Sequence, residues 1–250
     1  MYQPRHYRKS VQAGGLTGFV VTVDETDLLV LAESELEDAA LELVKAARAQ
    51  LQAHIARRPE FLTSLKPLQT PDPEVGGGEQ MPEMIAAMYR AGQIVGTGPM
   101  AAVAGAVAEA VGEGLLSSSR QVIVENGGDI FIKSDTPRTV SIYAGASPLS
   151  AKVGIRLPAG RFGVCTSSGS VGHSLSMGQA DAAVAISTDT ALADAVATAL
   201  GNRIRRAEEI AAGLEWVQGI EGILHAAIIV GNQFGTWGQF EIVPLANKVT

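Results

Sequence analysis

Two short apolar runs, Phe19–Val23 and Leu28–Leu31, flank the polar stretch Asp24–Asp27 and predict a β-hairpin near the start of the chain. Ser34 followed by Glu37 has the spacing of a capping box and predicts a helix running to about Arg57. The Pro- and Gly-rich stretch 66–82 breaks all periodicity and reads as a flexible loop. Pro82 then suits the first turn of a helix that Gly92 would end, and a small-residue helix follows from Pro99 to about Val111. Strand-like runs occupy 121–124, 130–133, 140–144, 152–157, 162–166, 182–187, 223–230 and 240–243. Strands interleaved with helix pairs predict an α+β fold, an antiparallel sheet carrying helices, with residues 1–250 forming a single domain.

One pattern repeats. Residues 102–110 and 191–199 are Ala-rich and agree at six of nine positions. Read as duplication, this predicts two related halves whose small-residue helices lie close together about an approximate two-fold axis. The two copies differ at their polar positions, Gly105 and Glu109 against Asp194 and Thr198.

Composition narrows the function. Hydrophobic residues make up 46% of the 250 positions and aromatic ones 5%, so Ala, Val, Leu and Ile must build the core. The net charge of −7 argues against nucleic acid as a partner, because that surface needs a basic face. The basic clusters Arg5–Lys9 and Arg203–Arg206 accordingly read as solvated surface. A single cysteine excludes an internal disulfide and a cysteine-cluster zinc site. No apolar run is long enough for a signal peptide or a membrane span, so the expectation is a cytoplasmic protein with no membrane partner; an oligomer is compatible with this.

The candidate chemistry is concentrated between residues 163 and 201. A small-residue loop carries Cys165, Thr166, Ser167, Ser168, Gly169 and His173, and a helix behind it carries Asp194 and Thr198 four positions apart on one face. Hydroxyls and turn amides suit an anion, and an oxygen pair on a helix suits a hard cation. A phosphorylated small molecule with a divalent metal is the ligand this pattern predicts. Gly96-Thr97-Gly98 ahead of a helix is a second place where phosphate could meet backbone N–H groups.

Over roughly residues 95–200 the chain resembles the ApbE-type flavin transferase superfamily, and within it a branch of uncharacterised cytoplasmic proteins. Asn126-Gly127-Gly128-Asp129 resembles that family's Asn-x-Gly-Gly-Asp turn, and Thr166-Ser167-Ser168-Gly169 with His173 resembles its Thr-Ser-Gly loop and following histidine. Asp194 and Thr198 match the helix whose Asp and Thr hold magnesium. The resemblance implies a duplicated arrangement related to the tunnelling fold. It also implies FAD as a bound nucleotide, Mg2+ on its pyrophosphate, and an acceptor threonine on a partner protein that takes FMN while AMP departs. His173 then stands at the position of the proposed base. The chain departs from the family pattern in carrying Ser174–Met177 where an Asp-Pro follows the histidine, and in lacking a lysine within 96–101. Two other readings of the same residues stand beside this one. Cys165 could serve as a thiol nucleophile in sulfur transfer or redox chemistry, or the site could bind a ligand without catalysing anything.

Overall fold

The computed structural model describes residues 5, 8, 13–71, 80–169 and 178–245. Within them lies one eight-stranded antiparallel sheet. In chain order its strands are β1 (Thr17–Val23), β2 (Thr26–Ala32), β3 (Val122–Asn126), β4 (Asp129–Ser134), β7 (Gly160–Ser167), β8 (Ala182–Ser187), β9 (Ile223–Val230) and β10 (Gln233–Gly238). They lie side by side in that same order, β1-β2-β3-β4-β7-β8-β9-β10. A second, three-stranded sheet of β5 (Arg138–Ser141), β6 (Val153–Leu157) and β11 (Glu241–Pro244) has the order β11-β6-β5.

Helices cover one face of the large sheet: α1 (Glu37–Arg57), the one-turn α2 (Glu60–Thr63), α3 (Glu83–Val95), α4 (Val103–Leu115), α5 (Thr190–Arg203) and α6 (Ile210–Gln218), with a 3-10 turn at Pro99–Ala102 leading into α4. A second apolar cluster, with Ile132, Phe162, Val164, Val184 and Ile229 from the large sheet and Ile155 and Leu157 from the small one, fills the other face. The sheet is therefore sandwiched at its centre, and β8, which reads Ala-Ala-Val-Ala-Ile-Ser, is buried at every position. At the edge, β1 alternates instead: Phe19 and Val21 are buried and Val20 is exposed. This is the α+β arrangement of antiparallel sheet and helices that the sequence predicts.

The predicted hairpin forms, with Asp24 at φ 50° in its two-residue turn. The capping box does not. Leu36 stands at the N-cap of α1 with no side-chain cap. The preceding chain is tied to the next strand connection, where Glu33 accepts from the Arg120 N–H at 2.8 Å and its own N–H donates to Ser119 Oγ at 3.1 Å. Helix α3 runs through Gly92 to Val95 and is stopped by Gly96, whose φ of 81° is the left-handed cap. Strand β10 and helix α6 went unpredicted: β10 reads Gln-Phe-Gly-Thr-Trp-Gly, too interrupted to show a period. Of the predicted loop 66–82, residues 72–79 lie outside the described residues.

The two Ala-rich helices do pack together. They run antiparallel, and three contacts fix the register: Thr198 Oγ1 donates to the Ala101 carbonyl at 3.5 Å, the Gly105 N–H to Asp194 Oδ2 at 2.8 Å, and the Thr190 N–H to Glu109 Oε2 at 3.1 Å. Gly105 is required there, since a Cβ would stand 2.5 Å from the Thr190 carbonyl oxygen. Moving Ala101 forward by 89 positions and Thr198 back by 89 turns the first contact into the third, so the interface itself is locally two-fold. Connectivity is not: α4 is the last helix before β3, whereas α5 is the first after β8. The repeated sequence therefore reports a shared close-packed interface, not equivalent places along the chain. No single helix among the described residues is long and apolar enough to cross a membrane.

Candidate functional site

The N-terminus of α4 is the point on which the separated motifs converge. The β3–β4 turn arrives first. It is a two-residue turn with Gly127 at φ 69° and Gly128 at φ 109°, a conformation that requires glycine and holds Asn126 and Asp129 as register partners. Asn126 Nδ2 donates to the Ala104 carbonyl at 3.1 Å, pinning the turn to the first turn of α4. The end of β7 arrives beside it: the Thr166 N–H donates to Asp129 Oδ1 at 3.3 Å. From behind, α5 supplies Asp194, which caps α4 through Gly105, and one turn later Thr198, which reaches Ala101. Asn126, Asp129, Cys165, Thr166, Asp194 and Thr198 thus meet within one neighbourhood although 72 positions separate the first from the last.

The electrostatics are unusual for so small a cluster. Asp129 and Asp194 are both buried, at 8% and 7% exposure. Burial, then the proximity of Asp129, pushes the Asp194 carboxyl well above the ordinary range, against the pull of the N–H groups of Gly105 and Ala104. Burial also lifts Asp129 to about 7, while the Cys165 thiol, the Thr166 N–H and the guanidinium of Arg5 draw it down and Glu125 raises it. Cys165 is fully buried, and its thiol lies 3.5 Å from the Thr190 carbonyl. Burial and the two neighbouring carboxylates push its pKa up, which is the opposite of an activated nucleophile.

Other predicted residues stand further out. Ser167 is buried in β7 against Gly201, Ser168 follows the strand, and Gly169 turns the chain by donating its N–H to the Ala180 carbonyl at 2.9 Å. Gly96, Thr97 and Gly98 face a different neighbour. Gly96 caps α3, and Gly98 is pressed against Ser64, where a Cβ would overlap the carbonyl oxygen. The Thr97 hydroxyl is buried without a partner. This segment reaches the cluster only through the turn that carries Ala101. His173 lies outside the described residues.

Sequence reasoning missed the charged neighbours. Arg8, read as solvated surface, is 12% exposed in its side chain and bridges two buried carboxylates, Glu125 at 2.5 Å and Asp27 at 2.9 Å. Burial works against its charge, but Glu125 and Asp27 outweigh that and raise its pKa. Glu125 in turn accepts the Gly128 N–H at 2.9 Å, so this ion cluster braces the site turn from the opposite face of the sheet. Partners 117 residues apart leave no local signal. Arg203 likewise is not free surface: its guanidinium lies 3.8 Å over the Trp216 ring. Across α4, Glu109 has its carboxyl raised to about 7 by burial and by Asp189, despite Arg161 at 2.5 Å; its polar place in the repeat was its one visible signal.

The family model described as AbpE bacteria matches residues 8–215. A UPF0280 protein of Methanosarcina barkeri is 40% identical over 213 residues, covering 84% of this chain and 81% of its own length. A UPF0280 protein of Methanocaldococcus jannaschii is 35% identical over 239 residues, covering 92% and 94%. Among solved structures, the flavinyl transferase ApbE of Pseudomonas stutzeri in its apo form superposes with a TM-score of 0.56 at 16% identity, over 89% of this chain and 94% of that one. The flavin transferase ApbE of Vibrio cholerae does so with a TM-score of 0.54 at 12% identity, over 89% and 96%. A motif set gathered at one helix end, a family model spanning most of the chain and relatives along nearly its whole length lead to one assignment: the chain belongs to the AbpE bacteria family, alongside the UPF0280 proteins, and has the ApbE fold.

Proposed function

We propose that the protein binds a flavin nucleotide together with a divalent cation at the N-terminal end of α4 and transfers FMN from FAD to a hydroxyl on an acceptor protein. The observation that carries this reading is the meeting of the 126–129 turn, the 165–169 segment and the Asp194–Thr198 face of α5 around Ala101–Gly105. The ApbE proteins of Pseudomonas stutzeri and Vibrio cholerae, which share the fold, are flavin transferases.

The residues present fit magnesium. Asp194, the Thr198 hydroxyl and the Ala101 carbonyl are hard oxygen donors, the type this ion selects. Thr198 Oγ1 and the Ala101 oxygen lie 3.5 Å apart, near the roughly 3 Å that separates adjacent ligands of one octahedral ion. Two buried carboxyls whose pKa values are both held up are short of positive charge, and a cation would supply it. Bound there, magnesium would neutralise phosphate charge on the ligand.

The chain's own groups account for the rest. Asn126 and Asp129 hold the turn against α4 and the end of β7, and that strand ends with Ser167 beside Gly201 of α5. In the transfer, the acceptor oxygen bonds to the FMN-side phosphorus, the anhydride bond breaks, and AMP leaves; the hydroxyl proton goes to a base, for which His173 is the candidate. Cys165 is given a packing role, consistent with its full burial and raised pKa.

The test is AMP release from FAD with a threonine-containing acceptor peptide, with magnesium and with chelator. The wild type should release AMP only with magnesium, and His173→Ala should be slowed at least a hundredfold. Magnesium-dependent FAD binding without AMP release would leave a ligand-binding protein.

A further inference from the structure

Two arginines of the N-terminal segment meet Asp27, and they are not satisfied alike. Arg8 grips Glu125 and Asp27 at 2.5 and 2.9 Å and also donates to the main-chain oxygen of Asp27 at 2.9 Å. Arg5 donates Nη1 to that same main-chain oxygen, while its nearest carboxylate oxygen, on Asp27, lies 3.9 Å from Nε. Its side chain is also the more exposed, 21% against 12%.

The remaining nitrogen, Nη2, faces the β3–β4 turn. A Cβ built on Gly127 would stand 3.2 Å from it, so glycine there keeps the guanidinium in contact with the turn. On the other side of that turn lies Thr166, whose carbonyl is 3.7 Å from the position of a Gly128 Cβ. The described acidic groups around the turn are Asp129, Glu125 and, deeper, Asp194. An anionic ligand entering such a neighbourhood needs a cation from the protein. Of the described basic side chains, Arg5 is the one laid against this turn.

We propose that Arg5 is a phosphate-binding residue of this site, its guanidinium beside Gly127 taking the anionic part of the nucleotide. The inference rests on the site assignment made under Proposed function and deepens it. The ligand class it selects is a phosphate ester, because Nη2, the guanidinium nitrogen left over, can donate a charge-assisted hydrogen bond to a phosphate oxygen. Arg8, already committed to two carboxylates, is the structural member of the pair.

The experiment is titration calorimetry of FAD, ADP and riboflavin against the full-length protein in magnesium buffer, with melting temperatures recorded in parallel. Arg5→Gln should weaken FAD and ADP at least about tenfold and leave riboflavin, which has no phosphate, within twofold. Arg5→Lys should recover part of the loss, keeping the charge but not the planar fork. Arg8→Gln should lower the melting temperature and leave the FAD-to-riboflavin ratio unchanged. Unchanged FAD and ADP affinity in Arg5→Gln, or an equal loss for riboflavin, overturns the inference and makes Arg5 a clasp for the N-terminal segment. A wild type that binds ADP but no flavin removes the flavin reading and leaves the Arg5 inference standing if the ADP arm behaves as expected. A wild type that binds neither overturns both.

Discussion

Two buried acidic clusters sit back to back across the β3–β4 hairpin, and they have been treated in opposite ways. On one face Asp27 and Glu125 are held by Arg8 through contacts of 2.9 and 2.5 Å, and the cluster is closed. On the helix face Asp129 and Asp194 share a neighbourhood with a thiol and backbone N–H groups, and neither has a cation in direct contact among the described residues. Burial costs a carboxylate heavily unless it is paired. The first cluster meets that cost within the chain. The second meets it by favouring the protonated form, and under the proposed function a bound cation would take over that role.

Breaking the closed cluster should have the largest effect. Arg8→Ala strands two buried carboxylates and should cost about 3–5 kcal/mol of stability, read as a large fall in melting temperature that magnesium does not repair. The open cluster should respond in the reverse sense. Asp194→Asn removes an acid that has no cation, so the ligand-free variant should melt no lower than wild type near pH 7.5, while any magnesium-induced rise in melting temperature disappears.

The pH dependence sharpens the contrast. Asp129 and Asp194 have folded pKa values raised above the unfolded carboxyl value, so the stability they contribute is complete below about pH 4 and is lost as pH rises, through about 7 in the case of Asp129. His225 acts the other way. It is buried, and burial lowers it to about 4; Nδ1 accepts the Phe240 N–H while Nε2 contacts Thr236 Oγ1 at 2.9 Å, which fits the neutral ring. Its contribution is present above about pH 6.5 and is lost as pH falls towards 4. Subtracting the Asp129→Asn stability profile from that of wild type between pH 4 and 8 isolates the site. The difference should favour wild type more at low pH; a flat difference would mean that Asp129 is not held protonated. The smallest effect expected is at the thiol: Cys165→Ser should leave ligand affinity within about twofold, and folded wild type should resist alkylation at pH 8.

Much of the open cluster was legible in the sequence because its parts are local. A Gly-Gly turn, a run of hydroxyls after a strand and an Asp–Thr pair at helical spacing each occupy a few consecutive residues. The helix-covered sheet was legible too, since apolar runs such as β8 and the small-residue faces of α4 and α5 are direct consequences of burial. What could not be read were bonds between distant positions. Arg8 meets Glu125 across 117 residues, and only the antiparallel register of α4 and α5 sets Ala101 against Thr198. The same long-range ties misled the local reading of Ser34 and Glu37, where the capping signal lost to the attachment of Glu33 to residues 119 and 120.

The central claim is that the uncompensated carboxyls make a cation-dependent nucleotide site. It is tested most directly by the FAD dissociation constant of wild type and Asp194→Asn, each measured with magnesium and with chelator. Magnesium should tighten FAD binding to the wild type at least tenfold and should have no effect on the variant. Equal magnesium dependence in both proteins, or no FAD binding by wild type in either buffer, would contradict it.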